Sequence, residues 1–168
     1  MIQQDIFLEK TVKRIVPKQA ERVTKVTLVT AVICLALLFF HPVFLIGSVV
    51  FFILYAYDVN NLHIEYDYSY TNGEIDIVKV INGSRRKKLI TFEQDDIEIM
   101  ASPENEELKR YLNGQIKKID CVSHEKDRKN YAMVVKKSEN QGKVMILWEP
   151  GDEIAEMLKR FESSKVYL

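Results

Sequence analysis

The pattern of hydrophobic and polar positions divides the chain into three parts. Residues 26–57 carry no charge and are predominantly apolar, whereas charged residues are spread through the parts on either side. From Leu62 onward, hydrophobic side chains recur at every second position, which is the period of a β-strand with one buried face. The chain is therefore expected to combine a helical membrane part with a domain rich in strands.

The uncharged run is too long for one membrane span. Roughly 20 apolar residues cross the hydrocarbon core of a bilayer, and a single helix of the 32 residues found here would be about 48 Å long. Pro42 lies in the middle of the run, and the residue before a proline is pushed out of helical geometry. These features predict two spans, about residues 22–40 and 43–60, joined by a tight turn at His41 and Pro42. The alternative is one tilted helix with a kink at Pro42.

Positive charge before this run predicts its orientation. Residues 1–25 hold six basic and three acidic residues, and the turn at His41 and Pro42 holds no lysine or arginine. Loops rich in lysine and arginine stay in the cytoplasm, and a hairpin returns the chain to the side from which it came. We therefore expect a multi-pass protein of the cell membrane with both termini in the cytoplasm.

Residues 1–21 form a basic amphipathic segment ahead of the spans. Leu8, Val12 and Ile15 recur at helical spacing, basic residues lie between them on other faces, and Pro17 ends the pattern. This spacing predicts a short helix within residues 5–16. Such a helix either lies on the anionic surface of the membrane or packs on the soluble domain.

Residues 62–168 are predicted to form the cytoplasmic domain. Its first two hairpins are marked by Asn-Gly pairs at 72–73 and 82–83, because both turn positions require a positive φ. A short helix is expected from Ser102 and Pro103 to about Leu112, with a stop at Asn113 and Gly114. The seven expected strands cover residues 62–70, 74–81, 85–92, 97–101, 116–123, 130–137 and 143–148, the last two joined by a turn at 139–142.

A final amphipathic helix begins at residues 150–152, and Ile154, Met157, Leu158 and Phe161 form its apolar stripe. Seven antiparallel strands followed by a C-terminal helix is the element order of a pleckstrin-homology-like (PH-like) barrel. By analogy, the expected fold class is a membrane α-helical hairpin plus an all-β or α+β domain, a PH-like seven-stranded antiparallel barrel with a C-terminal helix. An all-β roll with packed helices is the alternative.

Four stretches also carry a resemblance to a known family. They are DIFLEKTVKR at residues 5–14, EYDYSYTNGEID at 65–76, the basic strand RRKKL at 85–89 and WEP at 148–150. In these stretches the chain resembles uncharacterised bacterial membrane proteins with a basic N-terminal helix, two adjacent spans and a cytoplasmic PH-like domain. The resemblance implies topology and fold, and it implies no activity.

Catalytic and metal-binding patterns are not found in the sequence. His41, His63 and His124 have no ligand spacing among them, and Cys34 and Cys121 have no CxxC spacing. We therefore expect no enzyme, no cofactor, no metal site and no disulfide.

Arg85, Arg86, Lys87 and Lys88 are the candidate contacts for anionic headgroups. In a strand they point alternately to two faces, and Lys117, Lys118, Lys136 and Lys137 are further basic residues that could join them. The competing interpretation is a solvated strand that resists aggregation.

The expected function is a membrane-tethered, non-catalytic binding or scaffold module with a protein partner that the sequence does not identify. The alternative is a sensor of anionic lipid headgroups that uses the basic strand. Residues 58–168 hold 21 acidic and 18 basic residues, so nucleic acid is not an expected partner. The lipid bilayer is an expected partner, and self-association is left open.

Tyr66, Tyr68 and Tyr70 alternate on one strand face and are expected in the core rather than in a stacking surface.

Overall fold

The computed structural model describes residues 6–111, 116–136 and 142–168. Within these residues the chain forms two four-stranded sheets, a pair of long helices and two shorter helices. The strands are β1 (Phe7–Lys13), β2 (Ile64–Thr71), β3 (Glu74–Ile81), β4 (Arg85–Glu93), β5 (Ile97–Ala101), β6 (Lys117–Asp120), β7 (Tyr131–Lys136) and β8 (Lys143–Trp148). The helices are α1 (Lys18–Leu37), α2 (Val43–Leu62), α3 (Glu106–Tyr111) and α4 (Gly151–Phe161).

The first sheet contains β1 to β4 in chain order, and every neighbouring pair is antiparallel. Its two tight turns have the predicted backbone, with φ values of 49° and 100° at Asn72 and Gly73 and of 56° and 67° at Asn82 and Gly83. Because these turns fix the register of β2, β3 and β4, the three strands lie where the alternation predicted them.

The helix predicted in residues 5–16 is wrong, because residues 7–13 form the strand β1. This strand pairs with β2 along its whole length, with Val12 opposite Tyr66 and Leu8 opposite Tyr70. Residues four apart share one face of a helix and also one face of a strand, so Leu8 and Val12 fit both periods. Val12 is fully buried in the core. The sheet thus includes residues that the sequence-based division assigned to a separate N-terminal segment.

The second sheet has the order β5-β7-β8-β6, and β6 runs parallel to β8. Beyond α4 the chain returns to the free edge of β5. The Met100 N–H donates to the Lys165 carbonyl at 2.9 Å, and the Tyr167 N–H donates to the Met100 carbonyl at 2.8 Å. The described residues therefore contain eight strands with one parallel pair, in place of the predicted seven-stranded antiparallel barrel. The predicted stop at Asn113 and Gly114, Lys137 and most of the 139–142 turn lie outside the described residues.

The core lies between the two sheets, and α4 covers one side of it. Trp148 is fully buried and meets Tyr68 edge-on, with ring centroids 5.7 Å apart and an angle of 82° between the rings. From α4, the side chains of Ile154, Ala155 and Leu158 are buried. Phe161, expected in the same stripe, is 51% exposed. It is the last residue of α4, where the chain turns toward the edge of β5.

The helices α1 and α2 pack side by side in opposite directions. Thr27 Oγ1 lies 3.5 Å from Asp58 Oδ2 near one end of the pair, and Cys34 lies against Gly47 nearer the other end. Of the helices in the described ranges, α2 is long and apolar enough to cross a membrane, with a mean hydropathy of 1.8. Of the two predicted spans, α2 is therefore the one that is long and apolar enough to cross a membrane. The uncharged part of α1, residues 26–37, is shorter than a typical span because charged residues occupy its first turns.

We predict that Leu158→Ala lowers the free energy of unfolding by about 2–5 kcal/mol, because it removes a fully buried side chain and leaves a cavity. Phe161→Ala should cost less than about 1 kcal/mol because its ring is half exposed. Denaturant titration of the full chain in detergent, followed by the fluorescence of the single tryptophan, measures both. Equal losses would contradict the packing of α4 described above.

We also predict that residues 62–168 alone do not melt cooperatively, because without β1 the backbone edge of β2 and the buried rings beside Val12 are exposed. A chain that joins residues 6–14 to residue 63 through a glycine-rich linker should melt cooperatively. Circular dichroism against temperature compares the two fragments. A fragment 62–168 with the same midpoint as the joined chain would show that β1 adds nothing to the domain.

Candidate functional site

The four basic residues predicted as headgroup contacts begin β4 and alternate between its two faces. Arg86 lies 3.6 Å from Asp67 Oδ2, and Lys88 lies 2.8 Å from Asp76 Oδ1, so both side chains are on the outer face of the first sheet. Arg85 and Lys87 point to the opposite face, and neither forms an ion pair within the part of the chain that the structure describes. The cluster is thus divided into a paired half and an unpaired half.

The pair between Lys88 and Asp76 holds both groups in their charged forms. The hydrogen bond to Asp76 raises the pKa of Lys88 above its ordinary value. Partial burial acts to raise the pKa of Asp76, but hydrogen bonds from Lys88 and Thr91 outweigh it and lower that pKa. Lys88 is therefore matched by a carboxylate already, whereas Lys87 forms no ion pair with a described residue.

Arg85 and Arg86 lie at the end of the sheet where α1 begins and α2 ends, which we call the helix-proximal end. Ile81 pairs with both Ile64 and Arg85, and Ile64 follows α2 after one residue. The Asn82 N–H donates to the His63 carbonyl at 2.8 Å, so the β3–β4 turn is fastened to the end of α2. Successive residues in a strand advance by about 3.3 Å, so Lys88 lies roughly 10 Å further from this end than Arg85.

A cleft of about 430 Å³ separates the free edge of β4 from β6, and we call it the β4–β6 cleft. Its lining residues are Lys88, Leu89, Ile90, Thr91, Lys117, Ile119 and Val144. The structure thus brings Lys117 beside the basic strand, as the sequence suggested. The neighbouring Lys118 points to the other face of β6, and Lys136 in β7 is not part of the lining.

The tyrosines of β2 are core residues, as predicted. Tyr68 donates to the Cys121 carbonyl at 2.5 Å, and Tyr70 donates to Gln94 Oε1 at 2.8 Å. Burial raises the pKa of all three tyrosines, Tyr66 included, so their hydroxyls stay protonated. With hydroxyls bonded inside the domain, these rings present no stacking surface.

A polar junction between the domain and the helices was not predicted. Arg14 lies 3.2 Å from the Tyr66 hydroxyl and 3.5 Å from Asp120, and it also meets His124 at 3.0 Å. Next to it, a second cavity of about 360 Å³ opens between the start of α1 and the end of α2. More than a hundred residues separate Arg14 from Asp120 and His124, so sequence spacing gave no signal for this contact.

Glu149, in the WEP stretch, is a buried carboxylate with a structural partner. Its Oε1 accepts hydrogen bonds of 2.9 Å from both the N–H and the hydroxyl of Ser123. This anchors the segment after β6, whose Ser123 carbonyl in turn accepts a 2.8 Å bond from the Ile15 N–H. The carboxylate therefore holds the second sheet to the residues that lead into α1.

The remaining residue types with reactive side chains are dispersed. Within residues 6–111, 116–136 and 142–168, no three histidine, cysteine, aspartate or glutamate side chains are grouped to hold a metal ion. Cys34 and Cys121 are free thiols in different parts of the fold. Burial raises the pKa of Cys121 to about 12, so its thiol stays protonated at neutral pH.

Comparison with known proteins agrees with the fold at the level of the family. Residues 4–168 match the family described as Bacterial PH-like domain (DUF6106). Comparison with curated proteins gave no match. Comparison with solved structures likewise gave none. The match covers nearly the whole chain, including β1 and both long helices, so the chain belongs to the bacterial PH-like domain family DUF6106.

Proposed function

We propose that this protein is a membrane-tethered, non-catalytic binding module. In this proposal α1 and α2 insert together as a helical hairpin, and the PH-like domain remains on the cytoplasmic side with both termini. The bilayer is then one partner, and the domain presents a binding surface to another protein.

The observation that carries the proposal is the apolar surface that both long helices turn outward. Val26, Val29 and Ile33 of α1 are more than half exposed, as are Ile46 and Ile53 of α2. At the tip between the helices, the exposed fractions of Phe39 and Phe40 are 95% and 83%. A soluble protein rarely leaves so continuous an apolar surface in water, whereas a bilayer covers it at no cost.

The short uncharged part of α1 is compatible with insertion as half of a hairpin. Residues 38–42 extend the apolar stretch past the end of α1, so 17 residues without charge precede α2. Lys25 can place its ammonium at the headgroups while its methylenes stay in the apolar layer. The packing of α1 against α2 further supports insertion of the two helices together. Thr27 of α1 lies beside Asp58 of α2, with Oγ1 and Oδ2 3.5 Å apart.

A second candidate function is the sensing of anionic headgroups, and it is favoured by the position of the basic strand. Arg85 and Arg86 lie at the helix-proximal end, which faces the leaflet if the hairpin inserts. Lys13, at the end of β1, lies on the same end of the sheet and pairs with Glu65 at 3.4 Å. Each basic residue close to an anionic surface contributes about 1 kcal/mol of attraction.

For the hairpin we expect reporters fused to the two termini to report the same compartment, the cytoplasm. A reporter inserted at the turn after Phe40 is the matched control and should report the opposite side. Paired reporters that are active only inside or only outside the cytoplasm measure this. Termini on opposite sides would mean a single span and would reject the hairpin.

For headgroup sensing we expect amide hydrogen exchange in the 82–84 turn to be slower in nanodiscs with about a third phosphatidylserine than in phosphatidylcholine nanodiscs. Arg85→Gln combined with Lys87→Gln should lose about 2 kcal/mol of attraction and abolish the difference. Salt near 1 M should abolish it too, because the Debye length falls to about 3 Å.

The matched control is Lys109→Gln combined with Arg110→Gln in α3, which removes the same charge away from the β3–β4 turn. Exchange that is identical in the two lipid mixtures for the unaltered protein would reject the sensor and leave the binding module as it stands.

A further inference from the structure

We infer that the β4–β6 cleft binds an extended, acidic segment of a partner protein, which adds to the open strand edge. The inference rests on the proposed function, because it names the place where the binding module takes its protein partner. The argument combines an open edge, an apolar floor and an unbalanced positive charge.

The open edge is the place where the two sheets fail to join. The strand β4 is the last in the first sheet and β6 is the last in the second, and no backbone hydrogen bond links them within the described residues. Of the other two edges, that of β5 is paired with the chain's own C-terminal residues, whereas the outer edge of β1 is exposed and carries charged side chains. The Ile15 N–H bonds the Ser123 carbonyl just beyond β1, and Lys10 lies against Gly151 of α4. Unpaired strand edges accept extended peptides by main-chain hydrogen bonding.

The floor of the cleft is apolar, and one of its residues sits in a bulge. Ile90 and Val144 are buried, and Leu89 and Ile119 are partly exposed at the surface of the cleft. In the pairing of β3 with β4, Ile77 faces Ile90 and Val78 faces Lys88, so Leu89 is an extra residue without a partner across the sheet. A bulge of this kind turns a side chain out of the regular alternation, and here it adds an apolar contact to the rim.

The charge of the cleft selects the chemistry of its occupant. Two of the lining residues, Lys88 and Lys117, are basic, and none is acidic. Because Lys88 is paired with Asp76, the unbalanced charge is that of Lys117. Lys117 is exposed and forms no ion pair with any residue that the structure describes. An occupant that alternates carboxylates with branched apolar side chains would meet Lys117 on one side and the apolar floor on the other. The lining follows four consecutive residues of β4, 88–91, as an extended chain paired with that strand would.

The test uses the full chain in phosphatidylcholine nanodiscs and a fluorescent synthetic peptide as long as β4, in which glutamate alternates with valine. Fluorescence anisotropy should show saturable binding. Lys117→Glu should weaken that binding about tenfold, since it replaces an attraction by a repulsion. Lys118→Glu makes the same change of charge on the other face of the same strand, and it should alter binding less than about twofold.

Two further peptides separate the parts of the argument. A peptide with lysine in place of glutamate should not bind, and one methylated at alternate backbone nitrogens should bind at least tenfold more weakly, because it cannot pair as a strand. A short-chain phosphatidylserine should not displace the acidic peptide.

The inference is overturned if the acidic peptide does not bind, if the two lysine variants lose equal affinity, if methylation has no effect, or if the phospholipid displaces the peptide fully. If the acidic peptide does not bind but the reporters at both termini lie on the same side, this cleft is rejected as the binding site. The proposed function then still stands.

Discussion

The pairing of β1 with β2 is the constraint on which the rest of the structure depends. These strands precede and follow the long helices, and the Arg14 N–H continues their ladder to the Ile64 carbonyl at 2.9 Å. Paired strands lie about 4.8 Å apart, whereas packed helices need roughly 8–10 Å between their axes. Residues 14–17 connect β1 to α1 and His63 alone connects α2 to β2, so these few residues must bridge the difference between the two spacings. Such short connections leave little freedom, so the helices and the sheet meet as one continuous unit.

Much of the domain could be predicted from local chemistry, whereas the wrong predictions concern features that residue spacing does not encode. The Asn-Gly turns and the alternation after Leu62 gave β2, β3 and β4 closely, because turn geometry and burial act over a few residues. The strand β1 was missed because its partner lies beyond two helices and because most of its residues are exposed at a sheet edge. Phe161 was misplaced since helical spacing predicts a face but not where the chain leaves the helix.

The candidate site was predictable in composition and unpredictable in arrangement. Four consecutive basic residues are visible in any reading of the sequence, and their alternation follows from the period of a strand. That Asp67 and Asp76 engage Arg86 and Lys88 depends on the register of three strands. The approach of Lys117 to β4 depends on how two separate sheets close around the core. Long-range geometry of this kind leaves no mark on residue spacing.

The return of the C-terminal residues to β5 has a consequence for assembly. Val166 is fully buried there, and Met100 bonds to Lys165 and Tyr167 on either side of it. An exposed edge at each end of a sheet would let copies stack without limit, as in a fibril. With β5 covered by its own chain, the second sheet keeps one free edge within the described residues, that of β6. A strand that adds to this sheet at β6 therefore leaves no opposite edge of the same sheet for a further copy.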